Sequence, residues 1–291
     1  MSHLFRWALL PLLLLVACQA DRLLPTSATA YRPQVLGHAG SGFFTPLSPF
    51  NPLPPSSMAG VMHALEIGAE GVEVDIQLSQ DSVPMLYHNV RLDNMTNGRG
   101  CISEHPAAAL TRLNYVGGKP YDWFQHERLV TLDSLLGRFA RRPEFPLLHL
   151  DLHENEDCAA PGHATARVPV LARQLARSLQ RHRVPLQKVL IVTMSAATVR
   201  ALRAAMPEVP IGLEITAYFN QNLRVAQAQP VQAVVLDANR VTLAQAEQVH
   251  AAGLRVVIFG GRSAGNIRAA LACRPDAWEV DNVGRLLAIL D

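Results

Sequence analysis

Three short stretches of this 291-residue chain concentrate acids and imidazoles: Gly37-His38-Ala39-Gly40, Glu73-Val74-Asp75 and Tyr87-His88-Asn89. Side chains alternate faces along a strand, so Glu73 and Asp75 should project from one side, where two carboxylates can share a cation. His38 and His88 then flank the candidate metal, and imidazole suits proton transfer near neutral pH. A fourth stretch, Leu148-His149-Leu150-Asp151-Leu152-His153, alternates leucine with polar residues, so His149, Asp151 and His153 should also point together.

The segments around these residues read as alternating strands and helices. Ala59 to Ile67 has helical spacing, residues 68–71 form a turn and Val72 to Leu78 is a buried strand. Downstream, the spacing predicts helices over 131–140, 166–180, 196–205, 243–252, 264–273 and 283–290. Strands are predicted over 146–152, 188–193, 211–215, 231–236, 255–259 and 277–280. Strand then helix, repeated about eight times, is the signature of an α/β fold of the (β/α)8 barrel type. A doubly wound open sheet shares the alternation, but no Gly-x-Gly-x-x-Gly follows the first strand. Both sides of a parallel barrel strand are covered, so Glu73 and Asp75 cannot simply face water.

The stretches "GHAGSGF" and "LEIGAEGVEVDIQLSQDSVPMLYHNVRLDNMTNGRG" together resemble the opening of glycerophosphodiester phosphodiesterases. The resemblance implies a phospholipase C-like phosphodiesterase barrel over 34–291, with a small insertion after the second strand. It implies a metal-dependent hydrolase that releases an alcohol and sn-glycerol 3-phosphate. His38 and His88 become the acid/base pair. Asp151 and His153 fall where the family has Glu-x-Lys, so Asp151 joins Glu73 and Asp75 as a third carboxylate. Three carboxylates and no cysteine favour Mg²⁺ or Ca²⁺, while nearby imidazole leaves room for Mn²⁺ or Zn²⁺.

The chain also departs from the family pattern. Ala39 stands where the family has a phosphate-holding arginine, and His153 replaces its lysine, so two fixed positive charges are missing. His153 is assigned to the substrate. Arg262, in the loop after the strand ending at Phe259, is the candidate replacement for the lost arginine, since such loops often bind phosphate in barrels. Phe259 would form an apolar wall in place of the family's tryptophan. Glu214 is expected to line the pocket, and Asp237, Glu279 and Asp281 either do likewise or pair with basic residues at the rim. Ser57 is a plausible N-cap for the first helix.

A net charge of +2 without a basic run leaves no footprint for nucleic acid. Arg6 followed by the apolar run Trp7 to Ala17 has the size of a secretory signal, and Leu15-Val16-Ala17-Cys18 resembles a bacterial lipobox. The expectation is a signal peptide over 1–17, lipidation at Cys18, a tether over 18–33 and a membrane attachment on the periplasmic face of the outer membrane. Export permits one disulfide; Cys101 with Cys158 is the preferred pair, and buried free thiols are an equal alternative. Two other functions share these residues. One is a phospholipase D-like lyase forming cyclic phosphates from lysolipids or sphingolipids; the other is a non-catalytic lipoprotein that binds a phosphorylated or glycan ligand.

Overall fold

The computed structural model describes residues 31–47 and 49–291. The expected export segment, Cys18 and nearly all of the expected tether lie outside the described residues. Arg32–Asp291 forms one unit. Its eight parallel strands are β1 (Gln34–Gly37), β2 (Gly71–Leu78), β5 (Leu147–Leu152), β6 (Val189–Thr193), β7 (Ile211–Glu214), β8 (Ala233–Asp237), β9 (Arg255–Phe259) and β10 (Ala277–Val280). β1 pairs with both β10 and β2, so the sheet closes on itself. Among the described residues no helix is long and apolar enough to cross a membrane.

Strand alternation sorts the core into two layers. Leu36, Leu190, Val192, Ala233, Val235, Val257 and Ala277 pack together inside the barrel. Their strand neighbours Val35, Ile191, Val234, Val256, Ile258 and Trp278 belong to the larger core beneath the helices. On β2 and β5 the outward layer is Val72, Val74, Ile76, Leu148, Leu150 and Leu152. That register leaves Glu73, Asp75, His149 and Asp151 on the inward side, and it aligns Glu73 with His149 and Asp75 with Asp151.

The helices cover the outer layer. In α4 (Val168–Arg181) Leu171, Ala172, Leu175 and Leu179 are buried at helical spacing, each leucine stabilising the fold by roughly 1.5–3 kcal/mol relative to exposure. The other helices after barrel strands are α1 (Met58–Glu66), α3 (Leu132–Phe139), α5 (Ala196–Ala205), α6 (Phe219–Ala228), α7 (Leu243–Ala251), α8 (Ala264–Leu271) and α9 (Val283–Leu290). Ser57, Thr131, Ser195, Thr242, Ser263 and Asn282 each cap one by accepting a backbone N–H. α6 has no counterpart in the sequence prediction. It begins at Tyr218 in a left-handed conformation without a side-chain cap, and only Leu223 and Ala226 are buried, so neither capping nor periodicity announces it.

The insertion follows β2. β2 turns back into the short β3 (Pro84–Leu86), which pairs antiparallel with it and carries β4 (Val130–Thr131) at its edge. His88 therefore follows a hairpin return and not a barrel strand. Between β3 and β4, residues including the short α2 (Ala107–Leu110) enclose a second apolar cluster of Met85, Tyr87, Leu92, Ile102, Leu110, Tyr115 and Leu129. Cys101 in this insertion is disulfide-bonded to Cys158 in the loop after β5, while Cys273 is a buried free thiol. The bond ties the insertion to the loop that follows His153. Closing a 57-residue separation can stabilise by about 4 kcal/mol on the chain-entropy account.

One glycine is required by the turn after β1. A Cβ on Gly37 would stand 1.9 Å from the Gly40 carbonyl oxygen, so any larger residue would displace the segment that carries His38.

Candidate active site

The inward residues meet in a cavity of about 410 Å³ at the carboxyl ends of the strands. His38, Glu73, Asp75, His88, Asp151, His153, Glu214, Phe259 and Glu279 all line it. Eight of these nine are positions singled out from the sequence for catalysis, metal or substrate, and the ninth is Glu279.

His38 is fixed at two points. Its backbone N–H donates to Val280 at 3.1 Å, and its Nδ1 lies 2.7 Å from Asp281 Oδ1. Nε2 is then turned toward Glu73, 3.9 Å from Oε2. Burial alone would lower the His38 pKa, but the bond and charge of Asp281 prevail and push it up to about 9. Burial opposes ionisation of Asp281 too, and the His38 partnership still holds its carboxyl below the usual range. His38 consequently carries a proton at neutral pH. His88 is placed differently, with Nδ1 2.8 Å from Asn89 Oδ1. Phe43 touches both imidazoles edge-on, with ring centroids 5.4 Å from His38 and 4.9 Å from His88. Phe259 adds the expected apolar wall, 5.8 Å from the His38 ring.

Glu73 anchors the loop that carries His38. Its Oε2 accepts the Ala39 N–H at 2.6 Å and its carbonyl accepts the Gly40 N–H at 3.0 Å. Ala39 is fully buried at φ 45°, a left-handed conformation that this pair of bonds holds in place. Asp75 receives the Ser56 hydroxyl at 2.6 Å and lies 3.0 Å from His153 Nε2. Although burial opposes it, those bonds push the Asp75 pKa down. His153 is correspondingly raised to about 9, again against burial. The next residue, Glu154, accepts hydroxyl bonds from Thr193 at 2.6 Å and Thr198 at 3.2 Å, which fastens the His153 loop to the neighbouring β/α unit.

The remaining acids crowd one another. Burial and the charges of Asp75, Glu279 and Asp151 push Glu73 well up; burial and Glu214 do the same to Asp151. Glu214 rises to about 7 through burial and the nearby Glu279. His149 pairs with one of these acids, its Nδ1 2.5 Å from Glu279 Oε1 in the barrel interior.

Ligand atoms of Asp75, Asp151 and His153 all lie within 4.8 Å of one another, a spacing that one ion can bridge. Glu73 stands outside that group, yet its Oε1 is buried beside the same cavity without a hydrogen-bond partner among the described residues. A buried carboxylate oxygen left unsatisfied, together with an excess of inward acids, is what a cation would complete, so the donor set fits a divalent ion. His153 thus sits among the metal candidates and also on the cavity wall where a substrate contact was expected.

Arg262 is not among the residues lining the cavity. Its carbonyl receives the Asn282 side chain at 3.5 Å, and its charge helps to lower Asp281. The imidazoles of His38 and His153 face the cavity where Arg262 does not. Asp237 lines a separate cavity near Tyr218 and accepts from Asn239 at 2.8 Å. Glu279 and Asp281 are the residues that sequence reasoning underweighted. The signal was present: Glu279-Val280-Asp281 repeats Glu73-Val74-Asp75, again at the end of a barrel strand.

Replacing Asp281 with Asn should lower the His38 pKa from about 9, because burial would then be opposed only by the charges of Glu279 and Asp75. The sign carries to stability. With the folded value above the unfolded one, the pairing contributes fully below pH 6.5 and is lost as pH rises through about 9. Imidazole titration by NMR in the two proteins is the measurement, and an unmoved His38 pKa would contradict the role given to Asp281.

The geometry agrees with what is seen when the chain is compared with known proteins. Residues 49–285 match the glycerophosphoryl diester phosphodiesterase family. A glycerophosphodiester phosphodiesterase of Caldanaerobacter subterraneus is 32% identical over 80 residues, covering 28% of this chain and 32% of that protein. One from Bacillus altitudinis is 28% identical over 102 residues, covering 34% of this chain and 40% of that protein. The matched stretches therefore span well under half the length of these relatives. In fold, the chain resembles the crystal structure of an Agrobacterium tumefaciens glycerophosphodiester phosphodiesterase, with TM-score 0.67, 18% identity, and 88% and 100% of the two chains covered. It also resembles an Oleispira antarctica phosphodiesterase solved with the product sn-glycerol-3-phosphate, with TM-score 0.68, 20% identity, and 88% and 96% covered. With a closed eight-stranded barrel and a family match running across nearly all of it, this chain belongs to the glycerophosphoryl diester phosphodiesterase family.

Proposed function

We propose that this chain hydrolyses glycerophosphodiesters with the help of a divalent cation, releasing an alcohol and sn-glycerol 3-phosphate. The observation that carries this reading is the pair His38 and His88 facing a carboxylate-lined cavity in a chain of this family. The Oleispira protein's complex with sn-glycerol-3-phosphate supports the product. His38 holds a proton at neutral pH and is oriented by Asp281, so it is the donor to the leaving alkoxide. His88 is left to accept the proton of the attacking water as its oxygen bonds to phosphorus and the ester P–O bond breaks. Phe43 and Phe259 shield the His38 ring.

Asp75 and Asp151 would hold the cation, with Glu73 facing the same cavity; carboxylates by themselves suit Mg²⁺ or Ca²⁺. When bound, such an ion supplies charge stabilisation to the phosphoryl oxygens. Incubating the protein with glycerophosphocholine and glycerophosphoethanolamine, with each divalent cation in turn, should give an open phosphomonoester by phosphorus NMR. His38→Ala and His88→Ala should each lower the rate by about 10²- to 10⁴-fold. A cyclic phosphate product would establish the lyase reaction instead, and wild-type rates in both variants would remove the acid/base assignment.

We also propose that the chain is exported and lipid-anchored at Cys18. The Leu15 to Cys18 segment motivates this, and the Cys101–Cys158 disulfide supports an oxidising compartment. Mass spectrometry of the protein from membranes should find an acylated Cys18 at the mature N-terminus, and an unmodified N-terminus elsewhere would refute the anchor.

A further inference from the structure

We propose that His153 is a ligand of the divalent cation, so that the site is a mixed oxygen and nitrogen centre and not an all-carboxylate one. This rests on the reading above that a cation binds here. The argument begins with distances. Two ligand atoms at about 2.1 Å from one ion, at right angles, stand about 3 Å apart, and wider angles separate them further. His153 Nε2 lies 3.0 Å from Asp75 Oδ1 and 3.7 Å from Asp151 Oδ2, the spacings of donors around one ion. The three side chains come from paired, adjacent strands: Asp75 aligns with Asp151 across β2 and β5, and the His153 N–H donates to the Ile76 carbonyl at 3.0 Å, continuing that register.

A second observation points to an ion independently of this cluster. Glu73, 2% exposed, keeps Oε1 without a partner among the described residues beside the same cavity. The other imidazoles of the region each engage Nδ1, His38 with Asp281, His149 with Glu279 and His88 with Asn89, and His38 Nε2 stands 3.9 Å from Glu73 alone. His153 is the one whose ring nitrogen is directed at two inward carboxylates. A lysine at this position holds its charge and could serve phosphate only as a point charge, whereas an imidazole can release its Nε2 proton to an incoming ion and ligate through that nitrogen. Exchanging one for the other changes the kind of site.

The consequence is selectivity. Imidazole draws a site toward Mn²⁺ and Zn²⁺ and away from Mg²⁺ and Ca²⁺, for which oxygen donors suffice. The test is binding of Mn²⁺ to the full-length protein, followed by calorimetry and pulsed electron paramagnetic resonance. Wild-type protein should bind Mn²⁺ stoichiometrically and show ¹⁴N coupling. His153→Asn and His153→Lys should lose that coupling and weaken Mn²⁺ binding by about 10- to 100-fold, with a smaller loss for Mg²⁺. His88→Ala should retain the coupling. Should the lysine variant fail to fold by circular dichroism, the smaller, uncharged asparagine variant decides. Stoichiometric Mn²⁺ without ¹⁴N coupling, or coupling that survives both changes at 153, would overturn His153 as a ligand while leaving the cation reading intact. No Mn²⁺ binding to wild-type protein would overturn both.

Discussion

Like charge confined in a barrel mouth is the constraint from which the rest of the site follows. Glu73, Asp75, Asp151 and Glu214 line one cavity together with Glu279, and burial penalises the first four in their ionised form. Moving isolated carboxylates out of water would cost several kcal/mol each, so the fold must offset them or leave them protonated. It does the first in part. His149 is set against Glu279, His153 against Asp75, and His38 against Asp281, each at hydrogen-bonding distance. Glu73 is left with one satisfied oxygen and one orphan. That residual imbalance is the physical case for a cation, and it is independent of any likeness to other proteins.

Barrel closure is what creates this concentration of charge. Because β1 pairs with both β2 and β10, the acids of β2 and β10 converge from opposite sides of His38. Strand alternation then assigns every second residue to the lumen without further specification. Loops finish the arrangement. Glu73 holds the backbone of Ala39, Ser56 reaches from the next segment to Asp75, and Glu154 fastens the turn after His153. Phe44, Phe50, Tyr121 and Phe124 stack between the loop after β1 and the insertion, steadying the segment that carries Phe43.

Much of this was legible in the sequence because period-two alternation and period-3.6 helices are local properties. Leu148 to His153 announced its own two faces, and β9 and β10 have the bounds that spacing predicted. The Cys101–Cys158 pair was the preferred pairing but stood level with free thiols, and the structure forms it. What was not legible depends on distance in space. α6 carries no cap and little buried surface, so its identity comes from the barrel it covers. The role of Arg262 turned on the direction of a loop, which no pattern encodes; its charge acts on Asp281. His153 illustrates the same limit, since a histidine in a lysine's place reads as a substitute charge until its distance to Asp75 is known. The residue type at Ala39 has a local explanation only in part: a left-handed, fully buried position bonded through its N–H to Glu73.

The central claim, that the inward acids form a cation site, is tested most directly by anomalous diffraction from crystals of the protein soaked in Mn²⁺. The account predicts one strong anomalous peak in the cavity, within coordination distance of carboxylate oxygens of Asp75 and Asp151. A cavity without such a peak at saturating Mn²⁺, with Asp75 still paired to His153 and Glu73 still unsatisfied, would contradict it.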